Sequence, residues 1–358
     1  MAIQFNEIDT VTTKEIMPGL VDNFFKAGPL MAFLKRNRYK VWRGGPQIQQ
    51  NYLYAPMKGG AYAKGAQFNV TKRQTMSGLI FTPKFYEVNV TEYGEDVEVL
   101  AQGSHRAFSL VKAHLGNAAM TMSAILAIAI YRHGQNVGGF DRTLELNGLE
   151  EFLTDGVATT FTGATFPSIG GQTRVDVAPA LNSPSTVGGT PPTLIPANVN
   201  GAITYRVLEH SYQSNVIGEE HPVIGVTTPR CMGFINENFQ PFQRIDTKEP
   251  TIGYTGLKFK DATILQDNYC PGAEGVNDPD LGDYSASGGE TFWWLNPGPE
   301  GDDSYINLYF IDSPRYQFGW TGFKVALDST VVAGQILYGG AFAITSPRLM
   351  RGLFGILR

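Results

Sequence analysis

Apolar and polar residues alternate in two stretches near the start of the chain. From Gln47 to Ala55, Ile48, Tyr52 and Tyr54 fall on one phase, and from Ile80 to Thr91, Tyr86, Val88 and Val90 oppose Glu87, Asn89 and Thr91. A period of two predicts strands. Between the two runs Gly59, Gly60, Gly65 and Gly78 supply conformations that other residues resist, so the prediction is a long hairpin with a pliable end. At about 3.3 Å per residue, ten to fifteen residues a strand would reach roughly 35 to 50 Å. That is long for a loop serving only its own domain. The other readings are a hairpin folded back on its own sheet and a DNA-binding arm.

The period then changes. Phe108, Val111, Leu115, Met122, Leu126 and Ile130 recur at helical spacing, while Arg106, Lys112 and His114 fall elsewhere on the wheel, which predicts a helix from about Ser104 to Arg132. Its second half, Ala118 to Tyr131, is apolar nearly all round and needs cover on more than one side. A short acidic helix, Glu95 to Gln102, precedes it. Ahead of the hairpin, a helical stretch from Pro18 to Leu34 is broken by Gly28 and Pro29 and reads as an arm packing along something else.

After residue 159 the chain turns rich in Gly, Pro, Ser and Thr up to Gly201, the pattern of a surface excursion. Asn198 to Tyr212 is predicted as a helix, Val223 to Thr227 as a buried strand stopped by Pro229, and Met232 to Asn238 as a short helix. Strands follow at Leu257 to Lys260, Ala262 to Leu265, Phe292 to Leu295, Ile306 to Ile311 and Gln335 to Ile344. The order is that of an α+β protein without an internal repeat.

Composition sharpens the hairpin. The 358 residues carry a formal net charge of -5, yet residues 44–86 contain no Asp or Glu and hold Lys58, Lys64, Lys72, Arg73 and Lys84. A basic arm on an acidic body is suited to an acidic surface, such as another copy of the chain. Candidate acceptors are Glu92, Glu95, Asp96 and Glu98, or the acidic loops near Asp278 and Asp302. The negative balance weighs against wrapping free nucleic acid, though not against enclosing it. Charged residues are only 17%, with 41 Gly and 21 Pro, as in a β-rich protein that covers its surface by association.

Candidate chemistry is sparse. The five histidines include no HExxH, and there is no GxSxG elbow, GxGxxG turn or GxxxxGK loop. Asp278, Asp280 and Asp283 lack the spacing of a calcium loop, with Pro279 and Leu281 between the acids. Glu219, Glu220 and His221 read as a connection between elements. Cys231 and Cys270 form no metal-spaced pair and read as free thiols. No leader-like segment begins the chain, and Ala118 to Tyr131 is shorter than the roughly 20 residues of a membrane span. A metal, a cofactor and a catalytic residue are accordingly not expected.

The order of elements resembles the major capsid proteins of tailed double-stranded DNA phages, whose fold was first seen in phage Hong Kong 97. Supporting phrases are YLYAPMKGGAYAKGAQF in the hairpin, LNGLEEFL after the long helix, GYTGLKFKDATILQDNYCPG, TFWWLN, and QILYGGAFAITSPRLMRGL near the end. The resemblance implies an N-terminal arm at residues 1–43, an extended hairpin (the E-loop) at 44–93, a peripheral domain with the spine helix at 94–150, an axial domain at 151–316 and a return to the peripheral domain at 317–358. It implies hexamers and pentamers closing into an icosahedral head around double-stranded DNA, contacted without sequence specificity. A portal, a separate scaffolding protein and in some relatives a decoration protein are the implied partners. The implied location is the virion, assembled in the host cytoplasm, with no cofactor and no membrane. Lys64 could stand for the lysine of the founding phage's isopeptide weld, but residues 328–358 offer no Asn to receive it. Alternatives are a cargo-enclosing nanocompartment shell of the same fold, a β-rich tail or baseplate protein, and a carbohydrate-active enzyme using Trp293, Trp294, Asp302 and Asp303.

Overall fold

The computed structural model describes residues 28–93 except 69, 110–137, 140–177 except 155, 157–159 and 175, 180–181, 198–239, 244–245, 256–273, 276–278, 282–284, 289–322 except 302, 324–325 and 330–358. The short helix expected at Glu95 to Gln102 and the first part of the one expected from Pro18 lie outside these residues.

Helix α1 (Pro29–Asn37) starts on a proline that presets its first turn and ends with Lys35 and Arg36 at the negative end of its dipole. Its N-cap, Gly28, has no side chain to offer. The buried carboxylate of Asp267 takes the Leu30 N–H instead. The same carboxylate accepts the Tyr131 hydroxyl at 2.9 Å and the Tyr269 N–H at 2.9 Å. One side chain thus joins α1, the end of the long helix and a distant strand end.

Strands β1 (Tyr39–Trp42), β2 (Ile48–Leu53), β3 (Met76–Phe81) and β4 (Lys84–Tyr93) lead to the spine helix α2 (Leu110–Ala129) and the four-residue α3 (Leu149–Phe152). Then come β5 (Asn198–Ala202), α4 (Tyr205–Gln213), β6 (Ile224–Thr227), α5 (Pro229–Phe239), β7 (Arg244–Ile245), β8 (Leu257–Phe259) and β9 (Ala262–Gln266). The last strands are β10 (Glu290–Leu295), β11 (Ile306–Ile311), β12 (Gln317–Trp320), β13 (Lys324–Val325), β14 (Val331–Ile344) and β15 (Arg351–Leu357).

A six-stranded sheet runs β1-β11-β14-β12, with β13 and β4 also paired to β14. Strand β4 follows β14 from Val331↔Tyr93 to Gly340↔Lys84. Gly340 is flanked on both sides, and a Cβ there would overlap the Tyr309 carbonyl oxygen. The spine helix lies against β4, β14 and α1. Every residue from Leu126 to Gly134 is buried, as an all-apolar helix surface requires.

A seven-stranded sheet runs β7-β8-β9-β6-β10-β15-β5. Its strand β10 is buried on both faces. Phe292 and Trp294 join Leu208, Tyr212 and Ile235 of α4 and α5 in one core, while Trp293 and Leu295 point into the main core with the spine. The sheet therefore separates two cores.

Two expectations change. The hairpin's return strand is β3, paired Ile48↔Phe81 to Leu53↔Met76, whereas most of the expected strand from Ile80 to Thr91 is β4 in the main sheet. Pro83, which has no N–H to donate, separates the two. Asn198 to Ala202 is a strand, not helix, because β15 pairs with it in parallel; the helix begins after Thr204, whose hydroxyl accepts the Val207 N–H at 3.3 Å. Strand β11 and its sheet partner β14 lie on either side of residue 316, and β15 runs in the other sheet.

Helix α3 carries two buried acids, Glu150 and Glu151. Glu150 accepts the Thr160 and Thr162 hydroxyls and the Thr162 N–H. Burial outweighs these bonds and pushes its carboxyl up to about 7. Nearby His133 is pushed down to about 4 by burial and by the charges of Arg142 and Arg132. The signs oppose. Protonation of Glu150 favours the folded chain, a contribution complete below about pH 4.5 and lost as pH rises through about 7; that of neutral His133 is complete above about 6.5 and lost as pH falls through about 4. Relative to the parent, Glu150→Gln is expected to gain stability by about 3 kcal/mol between pH 4.5 and 8. Urea unfolding at both pH values measures it, and a constant difference between the two chains would contradict it.

Candidate assembly interface

The hairpin formed by β2 and β3 is a two-stranded sheet of its own. On one face Ile48, Gln50, Leu79 and Phe81 are buried; on the other Gln49, Asn51, Leu53, Met76 and Ile80 are exposed. The alternation is what a ribbon lying by its root on a core produces. Beyond the strands, every described residue from 56 to 74 is exposed.

Four of the five basic residues lie on this tip. Lys58, Lys64, Lys72 and Arg73 are exposed, and among the described residues none is ion-paired within the chain. Lys58 donates to the Thr71 hydroxyl at 3.3 Å across the tip. Lys84 sits elsewhere, on β4, where it donates to the Thr143 carbonyl and partial burial lowers its pKa. Glu92 points the other way from the exposed face of β4, buried against the imidazole of His114 on the spine. Both side chains already have partners in their own chain. Glu95, Asp96, Glu98 and Asp302 lie outside the described residues, and Asp278 ends a short strand, 276–278, paired with 282–284.

The sequence reading picked out the cations and overlooked the apolar side chains among them. Leu53, Met57, Tyr62, Phe68, Val70 and Met76 are 64 to 91% exposed. The Tyr62 and Phe68 rings meet edge to face at 4.9 Å but rest on no core. Scattered exposed apolar residues are ordinary, whereas this many on one projection mark a contact surface. The available signal was apolar residues without any period in a glycine-rich, acid-free segment.

The alternative chemistry finds little support. Trp293 and Trp294 are wholly buried and offer no ring to a ligand. Among the described residues no three His, Cys, Asp or Glu side chains could hold a metal, and no helix is long and apolar enough to cross a membrane. Both cysteines are free and buried; burial pushes the Cys231 thiol up to about 12 and that of Cys270 well above its ordinary value.

No protein-family model and no curated protein matches the chain by sequence. Solved structures do match its fold. The capsid of cyanophage A-1(L) aligns over 97% of this chain and 98% of its own at 14% identity and a TM-score of 0.65. A holo-SrpI encapsulin complex from Synechococcus elongatus PCC 7942 aligns over 99% and 96% at 8% identity and 0.59. The capsid of a native GTA particle aligns over 99% and 100% at 10% identity and 0.54. These likenesses establish the fold, an α+β capsid fold of the Hong Kong 97 type along essentially the whole chain.

Proposed function

We propose that copies of this chain assemble as hexamers and pentamers into an icosahedral phage head enclosing double-stranded DNA. The observation that carries this reading is the projecting hairpin, basic and apolar at once, on a fold shared with capsid subunits. The work is mechanical. An exposed ion pair contributes only about 0 to 1 kcal/mol and buried apolar area about 25 cal/mol per Å², but a closed shell repeats each contact many times. A separate scaffolding protein, a portal and location in the virion belong to the same reading. The encapsulin likeness favours a second one, a shell around protein cargo. The contents of shells isolated from the native source, nucleic acid or protein, distinguish the two.

Replacing Lys58, Lys64 and Lys72 together with Glu is expected to leave a folded subunit, by circular dichroism and thermal melting, that no longer forms shells by negative-stain microscopy. High salt is expected to weaken early assemblies of the parent chain in the same direction. Normal particles from the triple variant, or failure because the subunit unfolds, would remove the hairpin from this role.

A further inference from the structure

The exposed tip of the hairpin has the order of a short ladder. The Ala66 N–H donates to the Ala63 carbonyl at 2.9 Å, and Gly65 between them has a φ of 86°, as the third residue of such a turn requires. Lys64, the second residue of the turn, is thereby set at the far end. Tyr62 and Phe68 meet across the two legs with ring centroids 4.9 Å apart, yet remain 68 and 67% exposed. Nearer the strands Lys58 reaches across to the Thr71 hydroxyl at 3.3 Å, and Lys72 and Arg73 follow Thr71 on its leg. An aromatic pair is thus bracketed by one cation at the apex and three toward the base.

That order selects among acidic ligands. An acidic protein surface meets the cations but offers nothing flat to the rings. A single nucleic-acid strand offers both, since its phosphates alternate with unpaired bases and any base can stack on an aromatic side chain. A duplex keeps its base faces stacked on one another and presents only phosphates to such a tip. The acidic body does not oppose the contact. Every Asp and Glu of the chain lies outside residues 44–86. The leg from 56 to 64 can extend up to about 30 Å, whereas charges are screened beyond about 10 Å at 0.1 M salt. The tip therefore presents its own positive sign.

We infer that the tip of the dispersed subunit binds single-stranded nucleic acid without sequence preference, stacking bases on Tyr62 and Phe68 and holding phosphates with Lys58, Lys64, Lys72 and Arg73. No shell is needed for this. On the shell reading, the same side chains contact a neighbouring subunit, so a bound strand and a neighbour exclude each other.

The test is fluorescence anisotropy of a labelled oligothymidine of about twelve nucleotides, titrated with the dispersed full-length chain between about 50 and 200 mM salt. Affinity is expected to fall with salt at a log–log slope of about -3, from four phosphate contacts at about 0.7 each. Tyr62→Ala together with Phe68→Ala is expected to weaken the single strand at least about tenfold and leave binding of a duplex of the same length unchanged. Lys58→Gln, Lys64→Gln and Lys72→Gln together are expected to bring the slope to about -1. Every substituted side chain is exposed, so the fold is not at stake. Absence of binding at the lowest salt would overturn the assignment. So would a ring variant that binds the single strand as tightly as the parent, or polyglutamate of equal charge binding as tightly as the oligonucleotide, since either reduces the tip to a general anion contact. Assembly of the same chains, followed separately by negative-stain microscopy, tests the shell reading alone.

Discussion

A Leu126→Asp subunit is expected not to fold. Leu126 is fully buried in the part of the spine helix where every residue from 126 to 134 is inaccessible. The change removes a leucine's burial, about 1.5 to 3 kcal/mol. It also puts a carboxyl group into the apolar core, which costs several kcal/mol more where it finds no partner. Total stabilities of about 5 to 15 kcal/mol leave little margin. Circular dichroism and urea unfolding check this, with Leu126→Met as a tolerated control. A soluble Leu126→Asp chain that unfolds cooperatively would show that this face is not core.

The second large effect is expected at Arg174. This arginine is 1% exposed, and its guanidinium donates to the carbonyl oxygens of Phe166 at 2.8 Å, Thr154 at 3.0 Å and Phe152 at 3.4 Å, and to those of Glu151 and Leu181. The planar fork organises a loop region with little regular structure. Arg174→Ala is expected to cost about 3 to 5 kcal/mol, because several buried acceptors lose their donor together. Arg174→Lys is expected to recover little, since an ammonium cannot span the same oxygens. Amide exchange distinguishes this damage from that at Leu126, rising first within 149–181. An unchanged urea midpoint for Arg174→Ala would contradict the role.

What could be read from the sequence depended on where each element finds its partner. The strands expected at Val223 to Thr227, Phe292 to Leu295 and Ile306 to Ile311 were legible because they are apolar runs bounded by turn residues. The spine was legible because its period is its own. Asn198–Ala202 was not, since Val199, Ile203 and Val207 share a helical spacing and only pairing with β15 makes the first part a strand. Strand β15 itself, RGLFGIL, is buried from Arg351 to Ile356 and shows no alternation. The hairpin's existence was visible, but the cleaner alternation belonged to β4, which has one face on the spine, so the return strand was placed too late. On the hairpin tip, acid-free composition marked the exposed cations.

The arrangement of β10 has a consequence for observing this molecule. Trp293 and Trp294 are adjacent in sequence, yet their indoles face opposite sides of the sheet, each into a different core. They account for half of the chain's four tryptophans. Intrinsic fluorescence therefore reports the loosening of either layer, and the parent chain's signal merges the two. In a chain whose Trp42 and Trp320 have been replaced, changing one indole of the pair at a time to phenylalanine turns this strand into a pair of separate optical reporters, one for the spine side and one for the side of α4 and α5.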